Sequence, residues 1–245
     1  MRGIIAKASM AAFTFAGTPA SAQLSVDRLW VDFEPGTPHR ADIVVRNESP
    51  DRYYITVTPA EIIDPGTDTE KRIEQSDPEQ LGLLVTPNRL VIDPGGSRSI
   101  RIVSLNQNVP KDRIYRVKVT PQVGDIQASA PEGGRGIAIK VLAAYDILVT
   151  SRPDKAKAEL TATHIGDELI ITNAGNSNTL LYEGKACSKS GDTKTNDDPA
   201  AECTDLGARR LYAGNVWKIG VPASQIKIQF KQRSTSSSNP KETDF

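Results

Sequence analysis

The side chains that could do chemistry are few and widely spaced. The chain of 245 residues has two cysteines, Cys187 and Cys203, and two histidines, His39 and His164. A zinc centre needs about four thiolate, imidazole or carboxylate ligands, and neither histidine lies in a His-x-x-x-His pattern. A reactive thiol pair favours a Cys-x-x-Cys setting, whereas these cysteines stand sixteen positions apart. No Gly-x-Ser-x-Gly nucleophile turn is present. Asp32, Glu34 and Asp93 sit in or beside turns, and nothing in their spacing predicts a shared cleft of paired carboxylates. Gly133-Gly134-Arg135-Gly136 lacks the Lys-Ser/Thr pair and the following helix of a phosphate-binding loop, and reads as a hairpin loop. The expected activity is binding, with no catalysis, no metal and no cofactor.

The first residues read as an address. Arg2 and Lys7 flank the start, an apolar and small-residue stretch runs from Ala8 to Ala16, and Thr18-Pro19-Ala20-Ser21-Ala22 ends in an Ala-x-Ala cleavage pattern. Residues 1–22 are expected to be a signal peptide, and no apolar run approaches the length of a membrane span. Export changes the meaning of the cysteines, because an oxidising compartment favours a disulfide. Cys187 and Cys203 are expected to form one bridge closing the polar segment between them. Lys+Arg and Asp+Glu are both 30, and loss of residues 1–22 leaves 28 against 30, a net charge of −2. That balance excludes a bulk electrostatic partner such as nucleic acid.

The elements that must carry any binding site read as strands. Short runs rich in Val, Ile and Tyr recur at Leu24–Val31, Ala41–Val45, Tyr53–Thr58, Arg89–Ile92, Ser99–Val103, Ile114–Thr120 and Gly136–Ala144. Turn chemistry such as Glu34-Pro35-Gly36, Asp64-Pro65-Gly66 and Asp93-Pro94-Gly95-Gly96 separates them. About seven such strands predict an immunoglobulin-like sandwich over residues 23–150. The pattern breaks at Ser151-Arg152-Pro153-Asp154, and strand-like runs resume at Ala158–His164, Glu168–Thr172, Asn178–Glu183, Arg209–Tyr212, Val216–Val221 and Ser224–Phe230. These predict a smaller β-sandwich over residues 151–232. Residues 233–245, poor in apolar side chains, are expected to be a disordered tail. The fold class is all-β, with two immunoglobulin-like domains joined by a short hinge.

The stretch from Gly82 through Thr86-Pro87-Asn88-Arg89 and Asp93-Pro94-Gly95-Gly96 to Ile102, followed by Tyr115-Arg116-Val117, resembles the periplasmic chaperones of chaperone–usher pilus assembly. Leu24-Ser25-Val26-Asp27-Arg28, Asn173-Ala174-Gly175-Asn176-Ser177-Asn178 and Arg210-Leu211-Tyr212-Ala213-Gly214 add to the resemblance, which covers nearly all of residues 23–232. Ala143-Ala144-Tyr145-Asp146-Ile147-Leu148-Val149 places it closer to the alpha-type branch than to the type 1 and P pilus branch.

The resemblance implies a periplasmic protein that lends a β-strand to pilin subunits and delivers them to an outer-membrane usher. Its partners would be pilins and usher, with no nucleic acid and no membrane insertion. A lent strand works by β-augmentation, in which main-chain bonds give affinity and alternate side chains fill pockets. Ile137, Ile139 and Val141 are the implied lending face; on the residues alone they could equally fill the protein's own core. The resemblance also implies a basic anchor for the subunit's C-terminal carboxylate. Lys140 matches it by position, while Trp30 stands where better-known members carry a second base, with Arg28 as a substitute. As an alternative, Lys140 is a solvated edge charge. A secreted two-domain immunoglobulin-like adhesion or binding module is the competing reading.

Overall fold

The computed structural model describes residues 23–106, 108–124, 141–188 and 203–245. The expected signal peptide at residues 1–22, the residues Ile137, Ile139 and Lys140, and most of the segment between the cysteines lie outside the described residues.

The first domain contains β1 (Leu24–Val26), β2 (Trp30–Phe33), β3 (Arg40–Asn47), β4 (Tyr53–Ile63), β5 (Lys71–Glu74), the one-turn helix α1 (Pro78–Leu81), β6 (Leu83–Thr86), β7 (Arg89–Ile92), β8 (Ser97–Ser104), β9 (Arg113–Gln122) and β10 (Tyr145–Ser151). One sheet has the order β1-β3-β8-β6, and the other β2-β10-β9-β4-β5 with β7 also paired to β4. Alternation decides which faces meet. Ile43 and Val45 of β3, Ile55 and Val57 of β4, Ile100 and Ile102 of β8, and Tyr115, Val117 and Val119 of β9 point into one shared core. Burying each such side chain contributes roughly 1.5–3 kcal/mol.

The second domain contains β11 (Leu160–Ile165), β12 (Glu168–Asn173), β13 (Thr179–Cys187), β14 (Cys203–Leu206), β15 (Arg209–Leu211), β16 (Val216–Gly220), β17 (Lys227–Arg233) and β18 (Lys241–Asp244). A sheet β11-β12-β16 packs against a sheet β14-β13-β17-β18, with β15 paired to β13. Leu169, Ile171, Leu181, Trp217, Ile228 and Phe230 form the core. The ladder between β13 and β17 shifts register between Tyr182 and Lys185. Gly184 lies within this bulge because a Cβ there would stand 2.2 Å from the Phe230 ring.

Three expectations are adjusted by the structure. The run Leu24–Val31 divides into β1 and β2, which belong to different sheets. Residues 141–144, expected at the end of a strand, carry none. The tail expected to be disordered contains β18, which pairs antiparallel with β17 from Gln229↔Asp244 to Gln232↔Lys241. Backbone pairing supplies the stability that its polar side chains do not, and Phe245 beyond it packs against the second core.

The expected disulfide is present, joining Cys187 of β13 to Cys203 of β14 across a sequence separation of 16. Replacing both cysteines with serine should lower the stability of the second domain by about 3 kcal/mol, the chain entropy such a loop releases on opening. Denaturant melts of the oxidised protein and the double variant check this.

Candidate functional site between the two domains

The domains meet around Arg152, the residue that follows β10. Its side chain is 2% exposed and lies between Asp32 of β2, 1% exposed, and Asp112 in the loop before β9, 4% exposed. Its guanidinium reaches Asp32 at 2.7 Å and Asp112 at 3.4 Å, and it donates to the Ser177 hydroxyl and the Ser234 carbonyl of the second domain. Asp112 in turn accepts from the Ser177 hydroxyl at 3.0 Å and from the Asn178 backbone at 2.6 Å. Asp32 accepts the Ser236 N–H at 2.6 Å. Burial pushes the Asp112 carboxyl above its usual range, while Arg152, Asn178 and Ser177 pull it back.

Beside this cluster, the face of the β2-β10-β9-β4 sheet looks into the cleft. Leu148 of β10 pairs with Trp30 of β2 on one side and with Arg116 of β9 on the other, so three side chains form a row across the sheet. Ile62, Ile114, Leu148, Trp30 and Tyr212 make an apolar floor. Arg210, from β15 of the second domain, lies with its guanidinium 3.8 Å from the centre of the Trp30 ring, a cation–π contact. Burial lowers its pKa to about 10, partly opposed by Tyr212 and Asp32, so it stays charged at neutral pH. It donates to the Asn178 side chain and makes no salt bridge among the described residues. Tyr212 is pushed up by burial and pulled back by Arg116 and Arg210. Two arginines and a tyrosine hydroxyl, from both domains, thus converge at one place.

The neighbouring edge is open among the described residues. Strand β9 flanks β10 from Tyr145 to Ser151, but β2 flanks it only from Leu148 to Ser151. Tyr145–Ile147 therefore have a strand on one side only among the described residues. The Leu148 N–H faces β2 and donates to the Leu29 carbonyl at 2.9 Å. By alternation, the backbone groups of Asp146 face the same side, where no described strand follows. Arg116 donates to the Asp146 carbonyl at 3.3 Å, and Arg72 pairs with the Asp146 carboxylate at 3.2 Å.

Of the residues singled out from sequence, Ile137, Ile139 and Lys140 lie outside the described residues. Val141 is 81% exposed. Arg28 sits in the bend between β1 and β2, paired with Asp27 at 3.1 Å. The other Asp27 oxygen accepts the Val44 N–H at 2.8 Å, which ties this pair to β3. Strand alternation does not relate Arg28 to Trp30, because the chain bends between them. Trp30 does lie in the cleft. Arg116, Arg210 and Tyr212 were not singled out as site residues. A cation inside the apolar run Ile114–Val119, on the face opposite buried Tyr115 and Val117, was the signal for the first.

The described strands form the two-domain immunoglobulin-like fold of the fimbrial chaperones, as the sequence resemblance implied. The class 5 fimbriae chaperone CfaA superposes with a TM-score of 0.64 at 20% identity, covering 91% of this chain and 97% of that one. A chain of the Salmonella enterica SafA pilin–SafB chaperone complex gives 0.57 at 14% identity, covering 93% and 99%. In sequence, a CS1 fimbrial subunit of Escherichia coli is 25% identical over 182 residues, 73% of each protein. No family model matches the chain.

Removing one member of a buried charge cluster leaves the others unpaired, which typically costs about 3–5 kcal/mol. Arg152→Met should destabilise the protein by that order in urea melts. Small-angle scattering of the folded fraction should show a wider spread of domain separations.

Proposed function

We propose that the protein is a periplasmic chaperone that binds pilin subunits by lending them a β-strand and delivers them to an outer-membrane usher, with no catalytic step. The observation that carries this reading is the open side of β10 beside two cleft arginines. A pilin subunit lacking a strand exposes a sheet edge and an apolar groove, and an edge of this kind aggregates unless covered. The Asp146 backbone, on the side of β10 that no described strand covers, offers main-chain partners, and the residues just upstream, Ile137, Ile139 and Val141, offer alternating apolar side chains. The exposure of Val141 supports a face turned outward. The whole-length fold likeness to chaperones, 97% of CfaA, favours this role over that of a pilus building block, although the sequence relative is named as a fimbrial subunit.

In this reading the subunit's C-terminal carboxylate is held by Arg116 and Arg210, assisted by the Tyr212 hydroxyl. The base that Trp30 replaces in the first domain is brought to the same spot from the second. Guanidinium groups suit the task, since they bind carboxylates by paired donors and remain charged when partly desolvated. Lys140 serves either as a further anchor or as an edge charge, and the export signal and family likeness support the periplasm.

Arg210→Ala and Arg116→Ala should each weaken pilin binding by about 2–5 kcal/mol, much of it the carboxylate left unpaired. Calorimetry with a pilin encoded beside this gene measures it, and Lys140→Ala in the same assay ranks the third base. Unchanged binding in both arginine variants would sink the anchor assignment.

The lending face has its own test. Ile139→Asp should abolish pilin recovery in a periplasmic pull-down while circular dichroism stays that of the folded protein. Loss of the fold as well would assign Ile139 to the protein's own core.

A further inference from the structure

We propose that Asn215 and the turn Asp64-Pro65-Gly66-Thr67 form a latch between the domains, and that this latch positions Arg210 over Trp30 and holds Tyr212 in the same cleft. The turn joins β4 to β5. Asp64 and Gly66 hold left-handed backbone, with φ of 50° and 74°. Thr67 donates its hydroxyl to the Asp64 carbonyl at 2.8 Å, and the Glu70 carboxylate accepts the Gly66 N–H at 2.7 Å. The turn therefore carries its own fixed shape, and two of its carbonyls meet the second domain. Asn215 Nδ2 donates to the Pro65 carbonyl at 3.1 Å, and Arg209 donates to the Gly66 carbonyl at 3.2 Å.

Asn215 is buried, and its Oδ1 accepts the Tyr212 N–H at 2.9 Å. One side chain thus connects the first domain's turn to the backbone of Tyr212, two positions from Arg210. The fit is close. A Cβ on Gly66 would stand 3.0 Å from Asn215 Oδ1 and 3.2 Å from the Tyr212 ring, and the positive φ disfavours any other residue there. Asp32, held by Arg152, lies on β2 at one edge of the sheet, and the turn follows β4 next to the other edge. The Asp32, Arg152 and Asp112 contacts span β2, β10 and the loop before β9, and the turn adds a further attachment beyond β4, so the second domain rests on a wider base and its β15 end is held as well. Arg210, between the two, then has one position relative to Trp30 and Arg116. The consequence for pilin binding rests on the cleft reading above, whereas the latch itself does not.

The two tryptophans, Trp30 in the cleft and Trp217 in the second core, provide the assay. Acrylamide quenching is measured on the full chain and on its Trp30→Phe counterpart, and the difference is the Trp30 signal. Asn215→Asp keeps an oxygen for the Tyr212 N–H but sets a carboxylate against the Pro65 carbonyl, so it separates the latch from the internal bond of the second domain. In Asn215→Asp and Gly66→Ala the Trp30 emission should move to longer wavelength and its quenching constant should rise, with Trp217 unchanged. If Asn215→Asp fails to fold, Gly66→Ala and Arg209→Ala carry the test. Trp30 quenching equal to that of the parent in the folded variants overturns the latch. Pilin affinity of the same variants is a separate readout: exposed Trp30 with unaltered affinity supports the latch and counts against the carboxylate anchor.

Discussion

A guanidinium held between two carboxylates, with almost no access to water, joins the two sandwiches. Taking such groups out of solvent costs several kcal/mol per ion, and the cost is offset only when the donors and acceptors are all met. For Arg152 the partners come from β2, the loop before β9, and the second domain's Ser177 and Ser234. They meet in one relative placement of the domains. Any other placement leaves charge buried without partners, so the same desolvation that makes the cluster costly makes the wrong arrangements costlier. The orientation of the domains is set by electrostatics, and the apolar floor of Ile62, Ile114, Leu148 and Tyr212 fills the space that remains.

Within that frame, Arg210 shows how a cation can be kept in a partly dry cleft without a carboxylate beside it. The Trp30 face supplies attraction worth up to about 2 kcal/mol when desolvated, and Asp32 supplies a more distant field. An ammonium group would hold its hydration more tightly and could not stack in the same way. The tryptophan is the platform that makes a second-domain arginine usable at a first-domain position.

Much of the architecture was legible because period-two alternation and Asp-Pro-Gly turns are local signals. Strand β7, Arg89–Ile92, coincides with its expected span. Where strands switch sheets the signal fails: Leu24–Val31 reads as one run, yet Asp27 bonds to Val44 and the chain bends between β1 and β2. Strands β5 and β18 escaped notice because their side chains are largely exposed and polar, their stability coming from pairing with β4 and β17. The site was less legible than the fold. Trp30 was flagged by position, but Arg116 and Arg210 lie far apart in the chain and become neighbours only when the domains dock. No spacing rule links them.

The unequal flanking of β10 carries a geometric consequence. A chain added beside Tyr145–Ile147 runs along a strand whose next residue, Leu148, is already taken by Trp30. The path is closed there by the protein's own backbone. Arg116 stands in that same row, opposite Leu148. End-stop and charge therefore coincide, and under the strand-lending proposal the edge would act as a ruler: a visiting chain would be counted backward from its terminus, so that length rather than the strength of any single pocket would decide which residue meets each upstream position.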